Sequence, residues 1–367
     1  MQKSRQIGGR KRMEMTSHER FLRMYQHKEA DRIPIIDHPW GGTLRRWREE
    51  GLPTDTSWES FFGIDAPAHI EVDKSPRFPR EIIEDTPTYR IVKSSWGVTM
   101  KQWKYEDSTP EFLDFKVGDS TAWPEAKERM KYAEDRINWK ALKENYEKWR
   151  AEGRWIIADF WFGFDVTHSW MVGTENMLIA LCEEPEWCMD MFDTYLRLDL
   201  ACFEKIWDAG YHFDCISWPD DMGYKGTMFF SNDMYREILK PYHQRAIDWA
   251  HERGAYAHMH SCGNIMDRVD DLVGMGLDAL NPLEVKAGMK PLALKEKYGD
   301  KLVLHGGINA VLWNDKDAII EEIRNTVPRL KENGGYIFSS DHSIPNSVSL
   351  ENFRAIVEEV KRVGAYQ

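Results

Sequence analysis

Residues 234–263 read MYREILKPYHQRAIDWAHERGAYAHMHSCG. Apolar residues recur at helical spacing through the first two thirds, and Gly254 supplies a stop. The next six residues, AYAHMH (255–260), form a short apolar run of strand type. A helix that runs directly into a strand is part of a repeating unit. This strand places His258, His260 and Cys262 at alternate positions across its end. The stretch therefore raises two questions: how often the unit repeats, and what its last residues do.

Seven similar runs flank it: RIPIID (32–37), AHIEV (68–72), WIIADF (155–160), FDCISW (213–218), LDALNP (277–282), LVLHGG (302–307) and GYIFSS (335–340). Helical patterns separate most of them. NDKDAIIEEIRNTVPRLKENGG (314–335) opens on an Asn314 cap and stops at Gly334–Gly335. SLENFRAIVEEVKRVG (349–364) opens on Ser349 and stops at Gly364. Repeated βα units make a parallel sheet, and about eight of them predict a closed (β/α)8 TIM barrel. An open doubly wound sheet is the alternative, but neither a GxGxxG after a strand nor a GxxxxGK[ST] is present. Residues 84–123 break the repeat. They alternate as strands (Tyr89, Ile91; Val98, Met100) around Gly97, which predicts a β-hairpin insertion beside the barrel mouth. Residues 1–14 read as a disordered basic tail, and 15–367 as a single domain.

Aspartate and glutamate number 61 against 49 lysines and arginines, a formal net charge of −12. Such a balance opposes nucleic-acid binding, which needs a basic surface, and opposes an anionic membrane for the same reason. No apolar stretch reaches the ~18 residues of a membrane span. The five cysteines are irregularly spaced and odd in number, which points to a reducing cytoplasm.

In a barrel the chemistry sits where the strands end. Those ends deliver Asp37, His38 and Trp40; Asp159, Trp161 and Phe162; Asp220, Asp221 and Tyr224; His258, His260 and Cys262; Glu284; His305; and Asp341 and His342. Taken singly, each has an ordinary structural explanation. The gathering is the signal. Side chains alternate faces along a strand, so His260 and Cys262 point the same way, about 6–7 Å apart at the Cα atoms. Such a pair of nitrogen and sulfur donors suits zinc, with a third ligand from another strand end, His342 or Glu284. Asp220, Asp221 or Tyr224 would hold the substrate or supply a proton. His38, Trp40, Trp161, Phe162 and His305 would line its pocket.

From about Thr16 to Gly364 the chain resembles the uroporphyrinogen decarboxylase superfamily, and within it the corrinoid (cobalamin)-dependent methyltransferases. The resemblance rests on TSHERFLRMYQHKEADRIPI (16–35), HMHSCGNI (258–265), NPLE (281–284), LHGGIN (304–309) and GGYIFSSDHSIPNSVSLENF (334–353). It implies a (β/α)8 barrel, zinc held by the His260–Cys262 pair and a later ligand, and a corrinoid presented by a partner protein. In the methyltransferases that later ligand is a cysteine; here His342 stands at its place. The decarboxylases carry an Arg-rich motif after the first strand. Here that region reads DHPWGGTLRRWREEGLP (37–53), where Arg45 and Arg46 are a weak echo. The resemblance thus implies a zinc-dependent methyltransferase acting on a small methyl ether, alcohol or thiol, such as one component of an O-demethylase. Two alternatives accompany it. One is a tetrapyrrole decarboxylase, with Asp65 as the pyrrole-facing carboxylate. The other is a non-catalytic corrinoid or tetrapyrrole binder. The decarboxylase relatives suggest a homodimer.

Overall fold

The computed structural model describes residues 14–105 and 109–366. The tail expected over 1–14 lies outside the described residues as far as residue 13; Glu14 is described, and pairs with Arg20 at 3.1 Å. In chain order the strands are β1 (Ala68–Ile70), β2 (Glu81–Asp85), β3 (Tyr89–Lys93), β4 (Val98–Trp103), β5 (Glu111–Phe115), β6 (Ile156–Asp159), β7 (Cys215–Pro219), β8 (Gly223–Tyr224), β9 (Thr227–Met228), β10 (Tyr256–His260), β11 (Ala279–Asn281), β12 (Val303–His305) and β13 (Tyr336–Ile337).

Seven of these form one sheet in the order β1–β6–β7–β10–β11–β12–β13. Every adjacent pair is parallel. Sheet order that follows chain order is what successive βα units of one hand produce. The run RIPIID closes the circle. Ile35 bridges Phe338 in parallel beyond β13. There the Ile36 N–H donates to Phe338 O (3.1 Å) and the Phe338 N–H to Pro34 O (2.9 Å). On its other side the Asp65 N–H donates to Ile35 O (3.0 Å), just ahead of β1. The eight expected runs are thus the eight staves of a (β/α)8 barrel. They are short and rich in buried Ile, Val and Leu because helices cover the sheet from outside.

Helices Lys316–Leu330 and Leu350–Gly364 follow the last two staves. Phe353 packs its ring against Trp47, Phe62 and Trp313, all buried. Truncating a ring so placed costs about 3–5 kcal/mol. The first of these helices is capped by Asp315, whose side chain accepts from the Asp317 and Ala318 N–H groups, and not by the expected Asn314. The continuous helix expected over 234–254 is broken into a short turn at Asn232–Met234, a π-helical turn over Tyr235–Leu239 and a helix over Lys240–Glu252. Pro241 explains the break, because it has no N–H to give the preceding turn.

The insertion is larger than one hairpin. It is a four-stranded antiparallel sheet, β2–β3–β4–β5, beginning at Glu81. The β3–β4 hairpin around Gly97 is the part that sequence alternation marks. The flanking strands EIIED and EFLDF escape that reading because they are largely exposed and bulged, so the two-residue period is lost. Among the described residues no helix is long and apolar enough to cross a membrane.

Candidate metal centre at the barrel mouth

Strand β10 lies between β7 and β11, with His260 level with Pro219 on one side and Asn281 on the other. The chain then turns through Gly263, whose φ is +81°. A Cβ there would stand 2.1 Å from the Gly223 carbonyl carbon, so this crossing needs glycine. The turn folds Cys262 back beside its neighbour: Sγ lies 3.2 Å from His260 Nε2. Asp221, in the loop after β7, completes the group. Its Oδ1 accepts from the Cys262 N–H (2.8 Å) and lies 3.7 Å from His260 Nε2. The ligand atoms of Asp221, His260 and Cys262 all lie within 4.8 Å of one another; no other such trio occurs among the described residues.

The adjacent strand settles the proton on His260. Asn281 Nδ2 donates to His305 O (3.3 Å), which turns its Oδ1 toward His260 Nδ1 at 2.5 Å. A carboxamide oxygen only accepts, so Nδ1 carries the proton and Nε2 presents its lone pair to Cys262 and Asp221. That is the tautomer a metal ligand needs, held by an outer partner. The Cys262 thiol is pushed far up by burial and then by the Asp221 and Glu284 charges. A buried thiol among carboxylates is a donor set that a cation would relieve. Replacing Asn281 by leucine should therefore weaken metal binding about 10–100-fold without altering the fold. Competition with a chelator measures this, and unchanged affinity would show that Asn281 does not hold the ring.

Below this trio lies a lumen of about 440 Å³. Its wall includes His38, His69, His258, His260 and His305, with Ser217 and Asn281. A second cleft, past Asp159 and Trp161, also reaches His260. His69 Nδ1 is 3.0 Å from both Asp159 carboxylate oxygens. Burial works against the His69 charge, yet the Asp159 carboxylate outweighs it and raises the imidazole above its ordinary value. The pair is thus complete at mildly acidic pH and fades as pH rises through that raised value. In Asp159→Asn the His69 midpoint, followed by imidazole NMR, should fall. A midpoint equal to that of the unaltered protein would refute the pairing. His38, also facing the lumen, is held down to about 4 by burial and by the neighbouring His69 and His260.

The sequence model described as "Uroporphyrinogen decarboxylase (URO-D)" matches residues 165–363, more than half of the chain. The chain belongs to the URO-D family. A curated uroporphyrinogen decarboxylase from Helicobacter pylori (strain P12) is 27% identical over 151 residues, 39% of each chain. The match thus spans well under half of that relative's length. A methyltransferase from Methanosarcina mazei shares the fold, with a TM-score of 0.63 over 95% of this chain and 99% of that one, at 16% identity.

Within this URO-D barrel the other expected site residues fall in different places. Glu284 accepts from the Gly263 N–H (2.7 Å) and faces Lys286 (3.5 Å), outside the trio; it holds the turn on which Cys262 sits. His342 also stands outside the trio, and burial followed by the Lys286 charge lowers its imidazole. Asp341 is buried and accepts from the Ala310 and Val285 N–H groups, joining two loops. Two expectations need correction. Asp220 cannot meet a substrate: it is fully buried, accepting from the Asp165 N–H (2.7 Å) and paired with His243 Nε2 (2.7 Å). Phe162 is 0% exposed, packed on Trp218 and His243, because the chain after β6 turns it inward. Trp40 caps the helix Gly41–Glu49 at the surface, and His305 lines the lumen. Tyr224 is exposed on the β8–β9 hairpin against Phe229. Trp161 lines the second cleft between Trp96 and Trp170, donating Nε1–H to Asp165 Oδ2 (2.8 Å). Asp165, Asn281 and His69 are absent from the sequence expectations. His69 had one signal: it alternates with the apolar Ala68 and Ile70 in AHIEV, which sets it on the opposite face of that strand.

Proposed function

We propose that this URO-D family protein is a zinc-dependent methyltransferase that moves a methyl group between a small methylated ether, alcohol or thiol and a corrinoid on a partner protein. The observation that carries the reading is the His260 tautomer. Asn281 strips Nε2 of its proton where Cys262 and Asp221 converge. Zinc bound by His260, Cys262 and Asp221 would supply Lewis-acid activation of the methylated heteroatom, and the corrinoid would supply the methyl carrier. The chain's own residues do the rest. Asn281 and Glu284 hold the ligand-bearing elements in place. Asp220 and His243 form a buried pair beneath the Asp221 loop. Asp165, which accepts from Trp161 and Ser169, has its carboxyl pushed up by burial and then by the Asp221 charge, a charge that zinc on Asp221 would offset.

Family membership favours a second reading, tetrapyrrole decarboxylation. The wall of the lumen opposes it. Among the described residues no lysine or arginine lines that wall to receive several carboxylates; Lys74 and Arg80 stand in the second cleft. Arg46 is bound to Glu50 and to the Ser347 carbonyl. The deciding assay offers aromatic and aliphatic methyl ethers, methanol and methylthiols to the zinc-loaded protein with cobalt(I) corrinoid under anaerobic conditions. Uroporphyrinogen is offered in parallel. Methylation of the corrinoid, abolished in Cys262→Ala, is the expected result. Decarboxylation of uroporphyrinogen that survives Cys262→Ala would overturn the proposal.

A further inference from the structure

Resting on the methyl-transfer reading, we infer that the lumen binds the oxygen-bearing remainder of the substrate, a phenol, alcohol or carboxylate, through a hydrogen bond donated by His305 Nε2–H. A chain of side chains sets that donor. The Tyr25 hydroxyl lies 3.2 Å from His258 Nδ1, and His258 Nε2 lies 3.3 Å from His305 Nδ1. The only rival acceptor described for the Tyr25 proton is Cys215 Sγ, at 3.7 Å. That thiol gives its own proton to Ile216 O (3.0 Å), and sulfur is the weaker acceptor. Tyr25 therefore donates to His258. The two imidazoles are buried and face each other, so each carries one proton. His258 passes its proton direction on to His305, whose proton is left on Nε2 in the lumen wall.

Trp155, stacked on Tyr25 at 5.1 Å, stands in the same wall and supports the Tyr25 ring; its indole N–H is buried out of reach of the lumen. A second observation points the same way. Two carboxylates of the wall are already occupied. Asp65 is bound by Arg20 and Arg32, and Asp37 by Ser340 and the His38 N–H. Glu59, also in the wall, belongs to the helix Trp58–Phe62. Around His305 the wall offers one donor, the Nε2–H, and wants an acceptor. About 440 Å³ with Phe21, Tyr25 and Trp155 at its side suits one ring bearing an oxygen.

The test uses the full chain, with and without zinc, titrated with phenol and benzoate, and with toluene and benzylammonium as probes lacking an acceptor. Ligand-observed NMR gives the affinities. Phenol or benzoate should bind at least tenfold more tightly than toluene or benzylammonium; which of the two does so identifies the oxygen group. Tyr25→Phe and His305→Phe should each lower that affinity about 5–10-fold and leave toluene unchanged. Nitrogen NMR of the histidines should show His305 protonated at Nε2, and a tautomer mixture in Tyr25→Phe. Equal binding of toluene, or an unchanged His305 tautomer in Tyr25→Phe, would overturn the inference. The binding needs neither metal nor corrinoid. Oxygen probes that bind without any methyl transfer sink the catalytic reading alone, and methyl transfer without probe binding sinks this one alone.

Discussion

Purified protein should hold about one zinc per chain, and His260→Ala, Cys262→Ala and Asp221→Ala should hold none at micromolar zinc. Three donors within 4.8 Å would share one ion, so removing any one takes away a charge or a lone pair that the others cannot replace. Loss of an outer partner typically costs about 10–100-fold, and loss of a ligand costs more. Asp221→Asn keeps an acceptor for the Cys262 N–H but loses the negative charge, and should fall between the unaltered protein and alanine. The decisive variant is His342→Ala. If Asp221 is the third ligand, His342→Ala retains zinc within a factor of about 10, the milder end of outer-partner effects. Metal content by mass spectrometry reads all five variants. Zinc lost in His342→Ala and kept in Asp221→Ala would overturn the assignment and return the third position to the histidine.

The second large effect is on stability. Asp65 is 1% exposed and receives Arg20 Nη1 (3.0 Å), Arg32 Nη1 (2.6 Å), the Ser17 hydroxyl (2.8 Å) and the Ile35 N–H (3.0 Å). It ties the first helix to the stave that closes the barrel. Removing it leaves the buried Arg32 guanidinium without a carboxylate among the described residues, while Arg20 keeps Asp31 and Glu14; an uncompensated buried charge of this kind costs about 3–5 kcal/mol. Asp65→Ala should show that loss in urea denaturation. Burial opposes the Asp65 charge, but the Arg32 and Arg20 charges overcome it and lower its carboxyl. The contribution is therefore present above the ordinary carboxylate value and is lost as pH falls through the lowered one, so the variant and the unaltered protein converge in acid. A pyrrole-facing carboxylate would behave differently: Asp65→Ala would keep its stability and lose only activity. Full stability in Asp65→Ala would restore Asp65 as a site residue.

Much of the site is legible before folding. His260 and Cys262 share a face because alternation along one strand is local, and each strand end was already a place to look for chemistry. Asp221 was also in view, but in another role. Its place beside Cys262 depends on a loop after β7 meeting a turn after β10, and no local pattern encodes that meeting. Asn281 sits in the quoted NPLE with no local mark of a role, since its importance lies wholly in being level with His260 across the ladder. Phe162 and Asp220 mislead for a common reason. Once a strand has ended, the two-residue period no longer says which way a side chain points.

The sequence by itself determined the eight strand-type runs and the His260–Cys262 pair, because periodicity and turn residues act over a few positions. Only the tertiary structure decided the third donor, the His260 tautomer and the direction of the Tyr25–His258–His305 chain. Each of these joins residues about 20 to 230 positions apart, and strand register, together with the glycine crossing of Gly263 over Gly223, brings their atoms within bonding distance.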